Sequence, residues 1–192
     1  MIYFTADFHF GDPRQKILGR PFQSSDQCIE TILRNFNEVL TNSDKVYVLG
    51  DCVTDNSYLE LMSYIPGRKT LIRGNYDTLP KQEYEPYFVN VIDDYLDLEI
   101  GKLDCRLHHY PTLHSVDYRF SLCGHIHGAW KVQKNMLNVG VDVHHFYPVS
   151  EEQVLFYFKA ISEFYDDDVW CADHESNTEN FLRGKMGTYY KK

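Results

Sequence analysis

A chain of 192 residues, 43% of them hydrophobic, is long enough to bury one full core without disulfides or metals as staples. Its formal net charge of −9 speaks against coating a long nucleic acid, because phosphate backbones are held by basic surfaces. No apolar run approaches the roughly 20 residues that span a bilayer, and the opening MIYFTADFH lacks the basic start and long apolar stretch of a secretory signal, so a cytoplasmic protein without a membrane partner is expected.

Ile2 to Ala6 reads as a short buried strand that ends on Asp7. Ser24, Ser25 and Asp26 offer N-caps for a helix whose Ile29, Ile32, Leu33, Phe36, Val39 and Leu40 recur at helical spacing. Val46 to Leu49 is a second strand, running into Gly50-Asp51. Ser57 and Glu60 form a capping box for a helix that Pro66-Gly67 stops, and Lys69 to Arg73 is a third strand, ending in Gly74-Asn75-Tyr76-Asp77. Strand and helix alternate here, which predicts a parallel sheet with its ligand site at the carboxyl ends of the strands.

The second half reads as short strands: Val89 to Ile92, Tyr95 to Ile100, Leu103 to Leu107, Arg119 to Cys123 and Met136 to Val141. No long helix separates them, which predicts antiparallel pairing. Ser150 caps a last helix with Val154, Leu155, Phe158 and Ile161 facing inward. A single domain is expected over 1–165, with a polar, patternless C-terminal arm over 166–192. The five cysteines form no CxxC pair and read as reduced, buried thiols.

Polar residues collect at the predicted strand ends. Asp7 and His9 lie two apart on an extended segment, so their side chains face the same way and can grip one cation. Asp51 follows a glycine turn that exposes its carboxylate, and Asn75 stands at a similar junction with an amide oxygen to offer. His108 and His109 end another strand, and only one of them can enter a site on one face. Gly124-His125-Ile126-His127 is the strongest single motif, with two imidazoles spaced to serve two adjacent cations. Taken alone, Asp51 and Asn75 read as ordinary turn residues, while a GHxH at a strand end is harder to dismiss. Together they form a mixed nitrogen and oxygen set that suits Mn²⁺, Fe or Zn²⁺ better than Ca²⁺ or Mg²⁺.

The order DxH, GD, GNxD, histidine before Tyr-Pro, GHxH resembles that of the calcineurin-like metallophosphoesterases. Arg20-Pro21-Phe22, Arg73-Gly74-Asn75, His109-Tyr110-Pro111, Asn138 to Asp142 and Tyr147 to Ser150 resemble one compact branch of that superfamily. The resemblance covers about residues 1 to 155. It implies an α/β fold of two mixed β-sheets packed as a sandwich and flanked by helices. It also implies two divalent ions, Mn²⁺ first, with Fe, Zn²⁺ or Ni²⁺ as alternatives. Asp7, His9, Asp51 and His127 would hold one ion. Asp51, Asn75, His109 and His125 would hold the other, with Asp51 bridging. A hydroxide between the ions would attack phosphorus in a phosphodiester or a small phosphorylated metabolite, such as a nucleotide.

Where the family writes Gly-Asn-His-Asp, this chain has Gly-Asn-Tyr-Asp. The resemblance makes Asn75, Tyr76 and Asp77 the catalytic stretch, yet a phenol ionises near ~10 and is a poor general acid at neutral pH. Asp12, where relatives often carry histidine, is a second departure. Arg73 is a candidate to bind a phosphoryl oxygen. His108, His144 and His145 are candidates to replace the missing imidazole, His108 by contacting the substrate. The rival reading is a catalytically weak, metal-binding scaffold for protein contacts.

Overall fold

The computed structural model describes residues 1–114 and 120–164. The expected C-terminal arm lies outside the described residues.

Strands β1 (Ile2–Thr5), β2 (Lys45–Val48), β3 (Arg68–Ile72) and β4 (Asn90–Ile92) pair in parallel in that order. The alternating side chains of this sheet serve two cores. Tyr3, Val46, Val48 and Leu71 face helix α1 (Ser25–Val39), which contributes Cys28, Ile29, Ile32 and Phe36. Phe4, Ala6, Leu49 and Ile72 point the other way, into the second core. Ser24 caps α1 by accepting from the Gln27 N–H at 3.2 Å. The segment expected as a helix from Ser57 is a 3-10 helix over Asn56–Tyr64, and Asp55, not a Ser57–Glu60 box, caps it.

A second sheet is built from β5 (Tyr95–Ile100), β6 (Leu103–His108), β7 (Phe120–Cys123), β8 (Val132–Gln133) and β9 (Met136–Asn138), in the order β5-β6-β7-β9-β8. The antiparallel expectation holds only at its edges. β6, β7 and β9 run parallel. The β6–β7 and β7–β9 connections are each about a dozen residues long, the length a parallel crossover needs. Its inner residues Cys105, Leu107, Phe120, Leu122 and Leu137 meet Phe4, Leu49 and Ile72 of the first sheet. Two mixed sheets therefore pack face to face, with α1 outside the first. Strand β10 (Val149–Ser150) returns antiparallel to β1, and α3 (Glu151–Phe164) follows it, adding Val154 and Ile161 to the inter-sheet core. A short α-helix, α2 (Lys81–Tyr84), is a single turn.

The parallel strands of both sheets end on one side of the molecule. A backbone bridge from Ala6 to Gly140 joins the two sheets there, and the Val141 N–H donates to the Ala6 carbonyl at 3.1 Å. Cys28, Cys52, Cys105 and Cys123 are buried free thiols, and Cys171 lies outside the described residues. None of the described helices is long and apolar enough to cross a membrane.

Candidate metal centre

At the joined strand ends the polar residues form two groups. Asp7, His9 and His127 make one, and Asp51, His109 and His125 the other; within each group the candidate ligand atoms lie within 4.8 Å of one another. Asp51 Oδ2 stands at the junction, 3.4 Å from His9 Nε2 and 3.3 Å from His109 Nε2. Asn75 Oδ1 joins the second group, 3.1 Å from His125 Nδ1 and 3.3 Å from His109 Nε2.

The backbone is forced into this arrangement. Asp7, His9, Asp51, His125 and His127 all have positive φ, between 47° and 75°. Left-handed backbone costs a non-glycine residue roughly 1–2 kcal/mol, and such strain collects at functional sites. Glycines let the walls close in. A Cβ on Gly140 would sit 2.8 Å from Asp7 Oδ2, and one on Gly74 would collide with Asp51 Oδ1.

Partners outside each group aim the imidazoles. His109 Nδ1 is 2.7 Å from the Leu49 carbonyl, which can only accept, so Nδ1 carries the proton and Nε2 faces the site. His127 Nδ1 is 2.7 Å from Asp142 Oδ2, and Asp142 is held by the buried Arg20 guanidinium at 2.7 and 3.2 Å. Arg20 also donates to the Asp7 carbonyl at 2.6 Å and the Phe8 carbonyl at 2.9 Å. His9 Nδ1 meets Thr54 Oγ1 at 3.0 Å. Asn138 donates to the His127 and Trp130 carbonyls, both at 2.8 Å, pinning the loop that carries both histidines.

Two observations show that a cation fits. His9 Nε2 is buried without a hydrogen-bond partner among the described residues. Asp7 is fully buried and accepts, among the described residues, only the His125 N–H, and burial pushes its carboxyl up to about 7 against the pull of His109 and His127. Burial also lowers His9 to about 4, so its imidazole stays neutral and able to ligate. Asp51 is opposed by burial too, yet the hydrogen bond with His109 and the nearby imidazoles hold it below the usual carboxylate range. Buried carboxylates and neutral imidazoles are the donor set that a divalent ion satisfies.

Three of the expected site residues have surroundings that sequence reasoning did not supply. The Asp77 carboxylate accepts from the backbone N–H groups of Asp51 at 2.7 Å, Gly74 at 2.8 Å and Cys52 at 3.1 Å, bracing two turns. Arg73 donates to the Asp77 and Leu79 carbonyls and pairs with Asp93, so its fork is already filled by the turn. His108 is fully buried at the end of β6, where strand alternation sets it on the opposite face from Leu107. His144 is likewise occupied, with Nε2 2.7 Å from the Asn138 carbonyl, while His145 is exposed.

Tyr76 lies with its ring edge-on to His9, centroids 4.7 Å apart. Its hydroxyl accepts from Arg14 at 3.0 Å, and Arg14 in turn grips Asp12. Sequence reasoning assigned no role to Arg14, Arg20, Thr54, Asn138 or Asp142. Arg20, Asn138 and Asp142 do lie in runs that carry the resemblance.

No family model matches the chain. An uncharacterised protein of Methanocaldococcus jannaschii is 27% identical over 166 residues, covering 80% of this chain and 89% of its own. A crystal structure of a protein of unknown function from Aquifex aeolicus shares the fold, with a TM-score of 0.67 and 26% identity over 82% of this chain and 98% of its own. An archaeal phosphodiesterase overlaps at 18% identity over 72% of this chain and 81% of its own, and its TM-score of 0.45 is too low to bear on function. The chain is thus similar in sequence and fold to archaeal and bacterial proteins of unassigned function.

Proposed function

We propose that the protein is a metal-dependent phosphoesterase of the calcineurin-like kind, acting on a phosphodiester or small phosphorylated metabolite. The observation that carries this reading is Asp51 Oδ2, set between two ligand groups and close to both His9 Nε2 and His109 Nε2, with His9 Nε2 buried and without a hydrogen-bond partner among the described residues. Asp7, His9, Asp51 and His127 would hold one divalent ion, and Asp51, Asn75, His109 and His125 the other, with Mn²⁺ the first choice. Such a pair, when bound, polarises a phosphoryl oxygen and activates water.

The protein's own residues do the rest. Leu49 and Asp142 keep protons on the Nδ1 atoms of His109 and His127, so that Nε2 stays free to ligate. The Tyr76 N–H donates to Asp51 Oδ1 at 2.9 Å and leaves Oδ2 toward the site. Arg20, held on two backbone carbonyls, fixes the strand end that delivers Asp7. A phosphodiester, or an ester with a good leaving group, is the favoured substrate, because no imidazole occupies the Tyr76 position to protonate a poor one.

The test is metal analysis with hydrolysis of bis-p-nitrophenyl phosphate and p-nitrophenyl phosphate in Mn²⁺, beside Asp51→Asn. Metal-dependent turnover that Asp51→Asn abolishes supports the enzyme. Two bound ions without turnover of either ester would sink it and favour a binding scaffold.

A further inference from the structure

We propose that Arg14 is the phosphoryl-binding cation of this site, standing where the sequence supplies no catalytic imidazole. The inference rests on the phosphoesterase reading for its substrate class, a phosphate monoester or diester, but its geometry is independent of the metal ligands. Arg14 is anchored as a surface arginine rarely is. Its Nε and Nη2 donate to the two oxygens of Asp12 at 3.0 and 2.7 Å, and its own N–H donates to Asp12 Oδ1 at 2.7 Å. Asp12 is completely buried and also receives the Thr54 hydroxyl at 3.3 Å, which contacts His9. A carboxylate this committed fixes the plane of the guanidinium rather than merely balancing its charge.

The guanidinium is linked to the site through Tyr76. Nη2 donates to the Tyr76 hydroxyl, and the Tyr76 ring stands on the edge of His9. Arg14 therefore reaches the first ligand group by two routes, through Tyr76 and through Asp12 and Thr54. Its Nη1 makes no hydrogen bond among the described residues, so two N–H donors are unspent. The side chain is 45% exposed and forms part of an open cleft of about 350 Å³ with Lys16, Ile17 and Phe22, so a ligand reaches it from solvent. A fixed guanidinium with free donors, one tyrosine side chain away from a cluster of candidate divalent-ion ligands, matches the oxygens of a phosphoryl group. In this arrangement Tyr76 is a positioning residue: its hydroxyl spaces Arg14 from His9.

The experiment is calorimetric titration of inorganic phosphate into the Mn²⁺-loaded protein, wild type against Arg14→Gln and Arg14→Lys, with metal stoichiometry, melting temperature, KM and kcat measured alongside. Phosphate affinity should fall about tenfold or more in Arg14→Gln, with bound metal unchanged and KM for bis-p-nitrophenyl phosphate raised. Arg14→Lys should recover part of the affinity, since it keeps the charge and loses the fork. Equal phosphate affinity in wild type and Arg14→Gln, or no phosphate binding by the loaded wild type, overturns the proposal even if esters are hydrolysed. Arg14-dependent phosphate binding without any ester turnover leaves it standing and removes the phosphoesterase reading instead. If Arg14→Gln melts too low to titrate, Arg14→Lys and Tyr76→Phe carry the test, and wild-type affinity in both overturns it.

Discussion

Asp142 holds His127 by a 2.7 Å contact from its Oδ2 to the imidazole Nδ1, with His127 in the loop after β7 and Asp142 in the 3-10 turn Val141–Val143. A carboxylate behind a ligating histidine sets its tautomer and raises its basicity. Asp142→Asn should therefore weaken the binding of one divalent ion by ~10–100-fold and leave the other close to wild type. Competition with a metallochromic indicator reads this, and two equally weakened sites would refute it.

Arg20 tests the layer behind Asp142. Its guanidinium side chain is fully buried, and Asp142 is its ionic partner. Arg20→Met removes that partner and leaves a buried carboxylate, so the loss of stability should be about 3–5 kcal/mol. Adding Asp142→Asn to Arg20→Met should give back part of it, as a double-mutant cycle by denaturant unfolding would show.

Asp77 should prove structural. Asp77→Ala strands the N–H groups of Asp51, Cys52 and Gly74, each costing roughly 1–3 kcal/mol. The expected result is a lower melting temperature even in metal-free protein. A variant that keeps wild-type stability and loses only turnover would return Asp77 to the catalytic group.

Backbone strain at Asp51, with φ of 57°, can be separated from its chemistry. Asp51→Ala and Asp51→Gly lose the same carboxylate, but only glycine takes left-handed backbone freely. In metal-free protein Asp51→Gly should be the more stable of the two by about 1 kcal/mol, measured by urea unfolding.

The pH dependence of the metal-free protein carries two opposing terms. Burial lowers His108 and His144 to about 4, whereas in the unfolded chain each takes a proton near 6.5. The unfolded state binds more protons between those values, so this stability is full above pH 6.5 and drains away as pH falls toward 4. Asp7 runs the other way: burial raises it to about 7 from 3.8, so its contribution is lost as pH rises through that window. Melts of Asp7→Asn should therefore fall more steeply than wild type below pH 6.5.

Much of this was legible because strand ends announce themselves. Apolar runs stop at Asp7, Gly50-Asp51 and Gly74-Asn75, and the structure sets those polar residues on one side of the first sheet. The parallel pairing of β6, β7 and β9 was not legible, because short polar connections carry no periodicity that distinguishes a crossover from a hairpin. Nor was the roster of supporting contacts. Asp142 behind His127 and Arg14 against Tyr76 are pairings across space, with no spacing along the chain to mark them. The surroundings of Asp77, Arg73 and His108 were not legible either, because residue type and position say nothing of where the hydrogen-bonding capacity is spent. Backbone groups hold Asp77 and Arg73, and His108 is buried at the end of β6.

Each ligand group draws on both sheets: Asp7 and His9 with His127 in one, and Asp51 with His109 and His125 in the other. A nascent chain leaving the ribosome thus presents neither group until the loop beyond β7 has emerged. By then the whole first sheet except β10 has been synthesised. An ion held by either triad would need both sheets docked, so acquiring it would be a late event in the protein's biogenesis.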